Sequence, residues 1–118
     1  MWEYNDLVSR AATTSDAFNA IAESRRRDIL DFLAAEERAV GDIVGALGMA
    51  QPSVSKHLQV LRGVGLVDVR RDGRRVLYRT NADALRPIHE WSGTFARHWR
   101  RQLTRIKQLA ELRSQTSR

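Results

Sequence analysis

The spacing of apolar residues changes twice along this chain, and these changes limit the folds open to it. In the first half, apolar residues recur every three or four positions, which is typical of helices packed on a core. After Gly63 the interval becomes two, with Val67 and Val69 alternating with polar residues, as in a strand. From Asp83 the helical interval returns. The pattern predicts a mainly α chain that contains one small β-structure.

Four helices are predicted before the change. The first begins at the potential cap Ser15 and runs through Glu23. Its residues expected to face the core are Phe18, Ile21 and Ala22.

The next two helices are bounded by residues that favour helix ends. Ser24 is expected to cap a second helix over residues 25–35. A third, over residues 40–47, is predicted to end at Gly48, which tolerates the left-handed conformation. Because proline suits the first turn of a helix, a fourth helix is expected to begin at Gln51 and Pro52 and to run to about residue 62.

The fourth helix is predicted to have two contrasting faces. Val54, Leu58 and Leu61 follow the spacing of an inward stripe. The outward residues are mostly slim and polar, as a helix that reads base edges in a DNA groove requires, and the candidates for DNA contact are Gln51, Pro52, Ser53, Ser55, Lys56, His57 and Gln59.

Two roles are open to His57. It could contact DNA, or it could bond to a neighbouring group within the protein, and we favour the second. The spacing of Ser53 and His57 also fits a nucleophile and a base, but no orienting acid or nucleophile elbow accompanies them. We therefore expect no enzyme activity.

A β-hairpin is predicted directly after the fourth helix. Asp72 and Gly73 are expected to be the central residues of its turn, because both tolerate positive φ. Arginines at the tip and edges are candidates for contact with DNA phosphates: Arg70, Arg71, Arg74, Arg75 and Arg79. Two helices joined by a tight turn and followed by a hairpin make a winged helix-turn-helix.

The charge distribution fits a polyanionic partner. The chain has 118 residues with 20 Lys and Arg against 14 Asp and Glu, a net charge of +6. Beyond Leu61 it has 14 basic and 5 acidic residues. A surface this basic attracts nucleic acid, although a solvated basic surface would have the same composition.

The helix predicted over residues 83–112 carries more apolar surface than a small domain buries alone. We expect the N- and C-terminal helical segments to form a homodimer interface, since cyclic dimers are the most common small oligomers. Its candidate residues are Trp2, Leu7, Ile88, Trp91, Phe95, Trp99, Leu103 and Ile106.

The segment Ala20–Leu30, the run Gln51–Arg62 with its Ser-x-Ser-x-His-Leu core, and Asp72–Tyr78 together resemble the ArsR family of bacterial winged-helix repressors. The resemblance covers about residues 16–80, and residues 91–103 are more loosely similar to a branch of the family without thiolate metal sites. It implies a homodimeric transcriptional repressor that binds an inverted repeat and responds to an effector not identified by the sequence.

The chain departs from the metal sensors of that family. It has no cysteine, so thiolate sites are excluded. His89 and His98 are nine residues apart, on opposite sides of a helix at about 100° per residue. We expect neither a metal nor another cofactor, although a site shared across a dimer stays open for these two histidines.

The sequence thus predicts a single winged helix-turn-helix domain over residues 1–118, with a DNA-binding core at about residues 16–80. The expected partners are double-stranded DNA and a second copy of the chain. No signal sequence or membrane span is expected, and the predicted location is the cytoplasm. The alternative is a dimeric winged-helix module that binds a protein and does not discriminate between DNA sequences.

Overall fold

The described part of the chain consists of helices and one β-hairpin. The computed structural model describes Trp2 and residues 14–116. The elements are α1 (Thr14–Ile21), α2 (Ser24–Ala35), α3 (Val40–Leu47), α4 (Gln51–Gly63), β1 (Val67–Asp72), β2 (Arg75–Thr80), a 3₁₀ turn (Ala82–Leu85) and α5 (Arg86–Thr116). This order confirms the predicted winged helix-turn-helix. No described helix is both long and apolar enough to cross a bilayer.

The chain divides into two compact units, residues 1–86 and residues 87–118. The first holds the winged helix, and the second holds nearly all of α5. The prediction of a single domain stays a prediction. Helix α5 extends to Thr116, four residues beyond the predicted end, and Leu7 of the predicted dimer interface lies outside the described residues.

The core of the first unit is built from apolar residues of α1 through β2. Burial of Val54, Leu58 and Leu61 confirms the inward face predicted for α4. The face predicted for α1 is wrong in part, because Ala17 and Ala20 are buried whereas Ala22 is exposed. The small residues allow α1 to approach α2 closely.

The junction of α1 and α2 is closed by arginines. Ser24 is the first residue of α2, so its prediction as the cap is wrong, and the preceding residue makes no side-chain cap. Arg26 Nε donates to the carbonyl of Ala20 at 2.5 Å, and Arg27 Nη1 donates to that of Ile21 at 2.7 Å. These bonds satisfy carbonyls at the C-terminus of α1 that have no partner within the helix.

The hairpin turn differs by one residue from the prediction. Asp72 pairs with Arg75, which leaves Gly73 and Arg74 as the central residues. Gly73 has φ +62°, and no described residue other than glycine has positive φ. Positive φ at the first central position alone is the pattern of a type II′ turn.

Two contacts fix the hairpin on the helices. Thr80 Oγ1 donates to the Leu30 carbonyl of α2 at 2.7 Å. Arg38 forms a β-bridge with Tyr78, with backbone hydrogen bonds of 2.9 and 2.8 Å. The chain between α2 and α3 therefore extends the hairpin by one short edge, which holds β2 in place.

Candidate nucleic-acid interface

Helix α4 presents a polar face because its opposite face is fully used by the core. The exposed residues are Gln51, Pro52, Ser53, Ser55, Lys56 and Gln59. The turn before α4 is tight: Gly48 has φ +64°, and its N–H donates to the Val44 carbonyl at 3.0 Å. Met49, in the same turn, is buried. These contacts fix where α4 begins relative to α3.

The N-terminus of α4 lacks a side-chain cap. Its N-cap residue is Ala50, which has no oxygen to accept a hydrogen bond, and Pro52 has no N–H. The N–H groups of Gln51 and Ser53 therefore have no acceptor in the first turn. Together with the positive end of the helix dipole, they favour a phosphate at this end of the helix.

On α4, His57 is largely buried, as the favoured prediction requires, whereas the apolar residue Val60 is exposed. The His57 side chain is 12% exposed, and its Nε2 lies 3.7 Å from a carboxylate oxygen of Glu23. This location favours the structural role of His57. Val60 is 37% exposed on the outer side, so it can contact the methyl group of a thymine. Sequence reasoning missed Val60, although its place six residues after Val54 signals an outward position.

Three wing arginines lie at or next to the turn. Arg71 and Arg74 are exposed and make no ion pair with any residue that the structure describes. Arg75 has a long contact, 3.9 Å from a carboxylate oxygen of Asp42. Arg71 and Arg74 are therefore free to bind an external anion.

Arg70 and Arg79 are engaged within the chain. Arg70 binds both carboxylate oxygens of Glu37, with Nε 2.9 Å from Oε2. Arg79 Nε lies 3.5 Å from an oxygen of Asp68. The guanidinium carbons of Arg79 and Arg70 lie 4.1 and 5.5 Å from the ring centre of Trp2. A phosphate would have to compete with these contacts.

The electrostatics of this cluster follow from the Arg70–Glu37 pair. The hydrogen bonds from Arg70 lower the pKa of the Glu37 carboxyl and outweigh its partial desolvation. The same contact raises the pKa of Arg70. Sequence reasoning missed Glu37 because the partner lies 33 residues away along the chain.

Large apolar side chains remain exposed along α5. We define the α5 apolar seam as the exposed residues Trp91, Phe95, Trp99, Leu103, Ile106, Leu109 and Leu112. Ile88, also predicted to lie in the dimer interface, is half-buried. Trp2 is placed on the hairpin, against Arg70 and Arg79.

His89 and His98 are both exposed on α5. Across residues 14–116, His, Asp and Glu side chains do not form a group of three that would hold a metal ion. The possibility of a site shared by two copies stays a prediction.

The sequence and the fold both have known relatives. Residues 23–69 match the family described as bacterial regulatory protein, arsR family. The chain is 40% identical over 70 residues to nodulation protein NolR of Rhizobium meliloti, and the match covers 59% of this chain and 57% of NolR. The chain therefore spans little more than half the length of that relative.

Two further relatives are matched over more of their length. Transcriptional repressor SdpR of Bacillus subtilis (strain 168) is 31% identical over 81 residues, covering 69% of this chain and 90% of the repressor. A solved homodimeric winged helix-turn-helix DNA-binding domain from Mycobacterium bovis, described as a possible ArsR-family regulator, is 38% identical with a TM-score of 0.60. That match covers 72% of this chain and 80% of the domain. Because sequence, fold and the elements of the site all agree, the chain belongs to the arsR family of bacterial regulatory proteins.

Proposed function

We propose that this chain is a sequence-specific DNA-binding transcriptional regulator that acts as a homodimer. The observation that carries this proposal is the two-sided character of α4. Its inner face is fixed by the buried residues Val54, Leu58 and Leu61. Its outer face offers slim side chains that donate and accept hydrogen bonds, which suits entry into a major groove.

The wing supplies contacts that do not depend on base sequence. Arg71 and Arg74 are the arginines of the hairpin best placed to bind phosphate, because they have no partner among the described residues. Each phosphate contact adds about 0.9 to the slope of log affinity against log salt. DNA binding is therefore expected to weaken steeply as salt increases.

A second copy is the proposed occupant of the α5 apolar seam. The solved Mycobacterium bovis domain is described as homodimeric, and the present chain exposes Trp91 and Trp99 at 58 and 60%. A two-fold dimer would place two copies of α4 about 34 Å apart, on successive major grooves of one face of the duplex. The operator is then an inverted repeat.

Repression is the proposed outcome of binding, since the Bacillus subtilis relative is named a repressor. A regulator bound at a promoter acts in the cytoplasm, where the bacterial chromosome lies, and an effector that releases it is part of the proposal. The alternative is a winged-helix module that binds a protein partner.

The test is selection of duplexes from a random pool by the purified chain, followed by fluorescence anisotropy. We expect an inverted repeat bound at least about a thousandfold more tightly than a scrambled duplex. Gln59→Ala should reduce that preference by about 1–3 kcal/mol at a base position. Gln115→Ala, the same substitution at an exposed position of α5, is the matched control and should change nothing.

Equal binding to the selected and scrambled duplexes, lost at high salt, would contradict the proposal. It would favour the protein-binding module with a basic surface.

A further inference from the structure

The net positive charge of the chain resides mainly in its second unit. Residues 87–118 contain seven basic and two acidic residues, whereas residues 1–86 contain thirteen basic and twelve acidic ones. Many arginines of the first unit lie beside a carboxylate: Arg25, Arg26, Arg38, Arg70, Arg75, Arg79 and Arg86. Outside the wing, where Arg71 and Arg74 are also unpaired, the described arginines without a counter-charge are therefore found mainly on α5.

We define the α5 arginine stripe as the exposed residues Arg97, Arg100, Arg101 and Arg105. Within residues 14–116, Arg100, Arg101 and Arg105 have no ion pair or side-chain hydrogen-bond partner, and Arg97 donates only to Thr94 at 3.4 Å.

No acidic residue lies close enough along the helix to neutralise the stripe. The two acidic residues of α5 are Glu90 and Glu111, and each lies four residues from a basic residue outside the stripe. Arg97, Arg101 and Arg105 instead follow one another at four-residue intervals, where like charges repel and destabilise a helix. The pattern therefore acts against helix stability, and a bound polyanion would relieve the repulsion.

The chemistry and shape of the stripe suit phosphate. A guanidinium group donates two parallel hydrogen bonds to a phosphate, which an ammonium group does not. Arg97, Arg101 and Arg105 follow one another at a rise of about 6 Å along the helix, so that they can reach separate phosphates of one backbone. Three of the arginines line a shallow surface depression with the hydrogen-bonding side chains of Thr104 and Gln108.

The stripe and the apolar seam are centred on different sides of α5. At about 100° per residue, its four arginines are all about 100° or more around the helix from Trp99 and Ile106. At the edges the two sets are closer, since Arg100 is about 60° from Leu103 and Arg105 about 40° from Leu109.

A second copy centred on Trp99 and Ile106 would leave Arg97 and Arg101 exposed, with Arg100 and Arg105 at its edges. A helix that binds a membrane surface inserts its apolar side chains into lipid. Since a second copy would cover those side chains on α5, a membrane is disfavoured as the anionic partner.

We propose that the α5 arginine stripe is a second binding site for duplex DNA, which contacts the phosphate backbone without reading sequence and is separate from the winged helix. This inference rests on the proposed function in one respect, the covering of the apolar seam by a second copy.

The test compares two full-length double variants that lose the same charge from the same helix. R101Q/R105Q removes two members of the stripe, and K107Q/R113Q removes two basic residues outside it. The probe is a fluorescein-labelled duplex of scrambled sequence, titrated between about 50 and 200 mM salt. For R101Q/R105Q we expect at least about a tenfold higher Kd at low salt and a slope of log affinity against log salt smaller by about 2. For the control K107Q/R113Q, both the increase in Kd and the decrease in salt slope should be less than half as large as for R101Q/R105Q.

Equal losses in the two variants would overturn the proposal, because the effect would then reflect net charge alone. Circular dichroism checks that both variants keep the helix content of the parent chain. Anionic vesicles of phosphatidylglycerol and phosphatidylcholine form a further arm. If R101Q/R105Q lost vesicle binding while its duplex binding stayed unchanged, the stripe would be a site for an anionic membrane and the proposal of a DNA site would be overturned.

The selected duplex separates this proposal from the proposed function. If the parent chain discriminates between sequences and R101Q/R105Q behaves as the control does, only the stripe proposal fails. If the parent chain does not discriminate and the stripe variant still loses binding to scrambled DNA selectively, the stripe proposal stands and sequence-specific regulation fails.

Discussion

At the scale of single residues, Glu37 determines how two wing arginines are used. Its carboxylate holds Arg70, whose guanidinium also lies against Trp2 next to that of Arg79. Two positive groups near one indole would repel each other, and the carboxylates of Glu37 and Asp68 offset this repulsion. The cluster connects Glu37, which lies between α2 and α3, with Arg70 of β1 and Arg79 of β2. It is therefore expected to stabilise the wing.

The Arg70–Glu37 pair predicts a pH dependence of stability. The pKa of the Glu37 carboxyl is lowered in the folded chain from its usual value of 4.5, because the charged form binds Arg70. The ion pair therefore stabilises the fold above pH 4.5. The contribution is lost as pH falls through the folded-state pKa. Glu37→Gln should lower Tm at pH 7, and the difference in Tm from the parent chain should shrink as pH falls below 4.5 and through the lowered pKa of Glu37. Thermal unfolding followed by circular dichroism measures both.

Glu36→Gln is the control for this prediction. The Glu36 carboxylate lies 2.8 Å from Arg38, but its side chain is 65% exposed, where ion pairs contribute little. A difference in Tm between Glu37→Gln and the parent chain that stayed constant from pH 7 to 3 would show that the carboxylate charge is not the cause.

The predictability of single residues depends on whether their partners are near in sequence. The buried positions Val54, Leu58 and Leu61 follow from helical spacing alone. The carbonyl contacts of Arg26 and Arg27 do not, because they require the angle between two helices. For the same reason, the residues that α1 buries depend on how α2 approaches it.

At the scale of elements, the hairpin register was not predictable from its turn residues. An Asp72–Gly73 turn and a Gly73–Arg74 turn are both compatible with positive φ at Gly73. The observed register places Thr80 opposite Val67, where its hydroxyl bonds to α2, and pairs Tyr78 with Arg38. Contacts with distant residues select the turn, whereas the strands themselves were predicted from alternation.

The type II′ turn makes Gly73 sensitive to substitution. No atom beyond Gly73 and its two chain neighbours lies within 4 Å of the place of an added Cβ, so the cost of alanine there is conformational. Because Gly73 has φ +62°, Gly73→Ala should lower the free energy of unfolding by about 1–2 kcal/mol. Urea denaturation at constant m-value measures this change.

Gly41→Ala is the matched control, since Gly41 lies in α3 and also has no atom within 4 Å of an added Cβ. Alanine is favoured over glycine in a helix, so this substitution should stabilise by about 0.5–1 kcal/mol. Stability changes of the same sign in the two variants would refute the conformational explanation.

At the scale of the whole molecule, the α5 apolar seam is the feature that a single copy leaves unexplained. The helix has 31 residues and a length of about 46 Å. The sequence predicted the exposed apolar residues, because their spacing follows one side of a helix. It did not predict how a second copy meets them, since the intervals change from four residues to three after Leu103 and fit no regular heptad.

A charge placed in the seam should separate the two copies. Leu103 is 64% exposed near the middle of the seam, and in a dimer Leu103→Glu would move a carboxylate of each copy from water into an apolar interface, a cost that pairing with Arg100 or Lys107 offsets only in part. We expect sedimentation velocity to show a dimer for the parent chain and a species of 13.5 kDa for Leu103→Glu at micromolar concentration. Gln108→Glu adds the same charge outside the seam and should remain dimeric. A parent chain that sediments as a monomer, or a dimeric Leu103→Glu, would show that the seam does not join two copies.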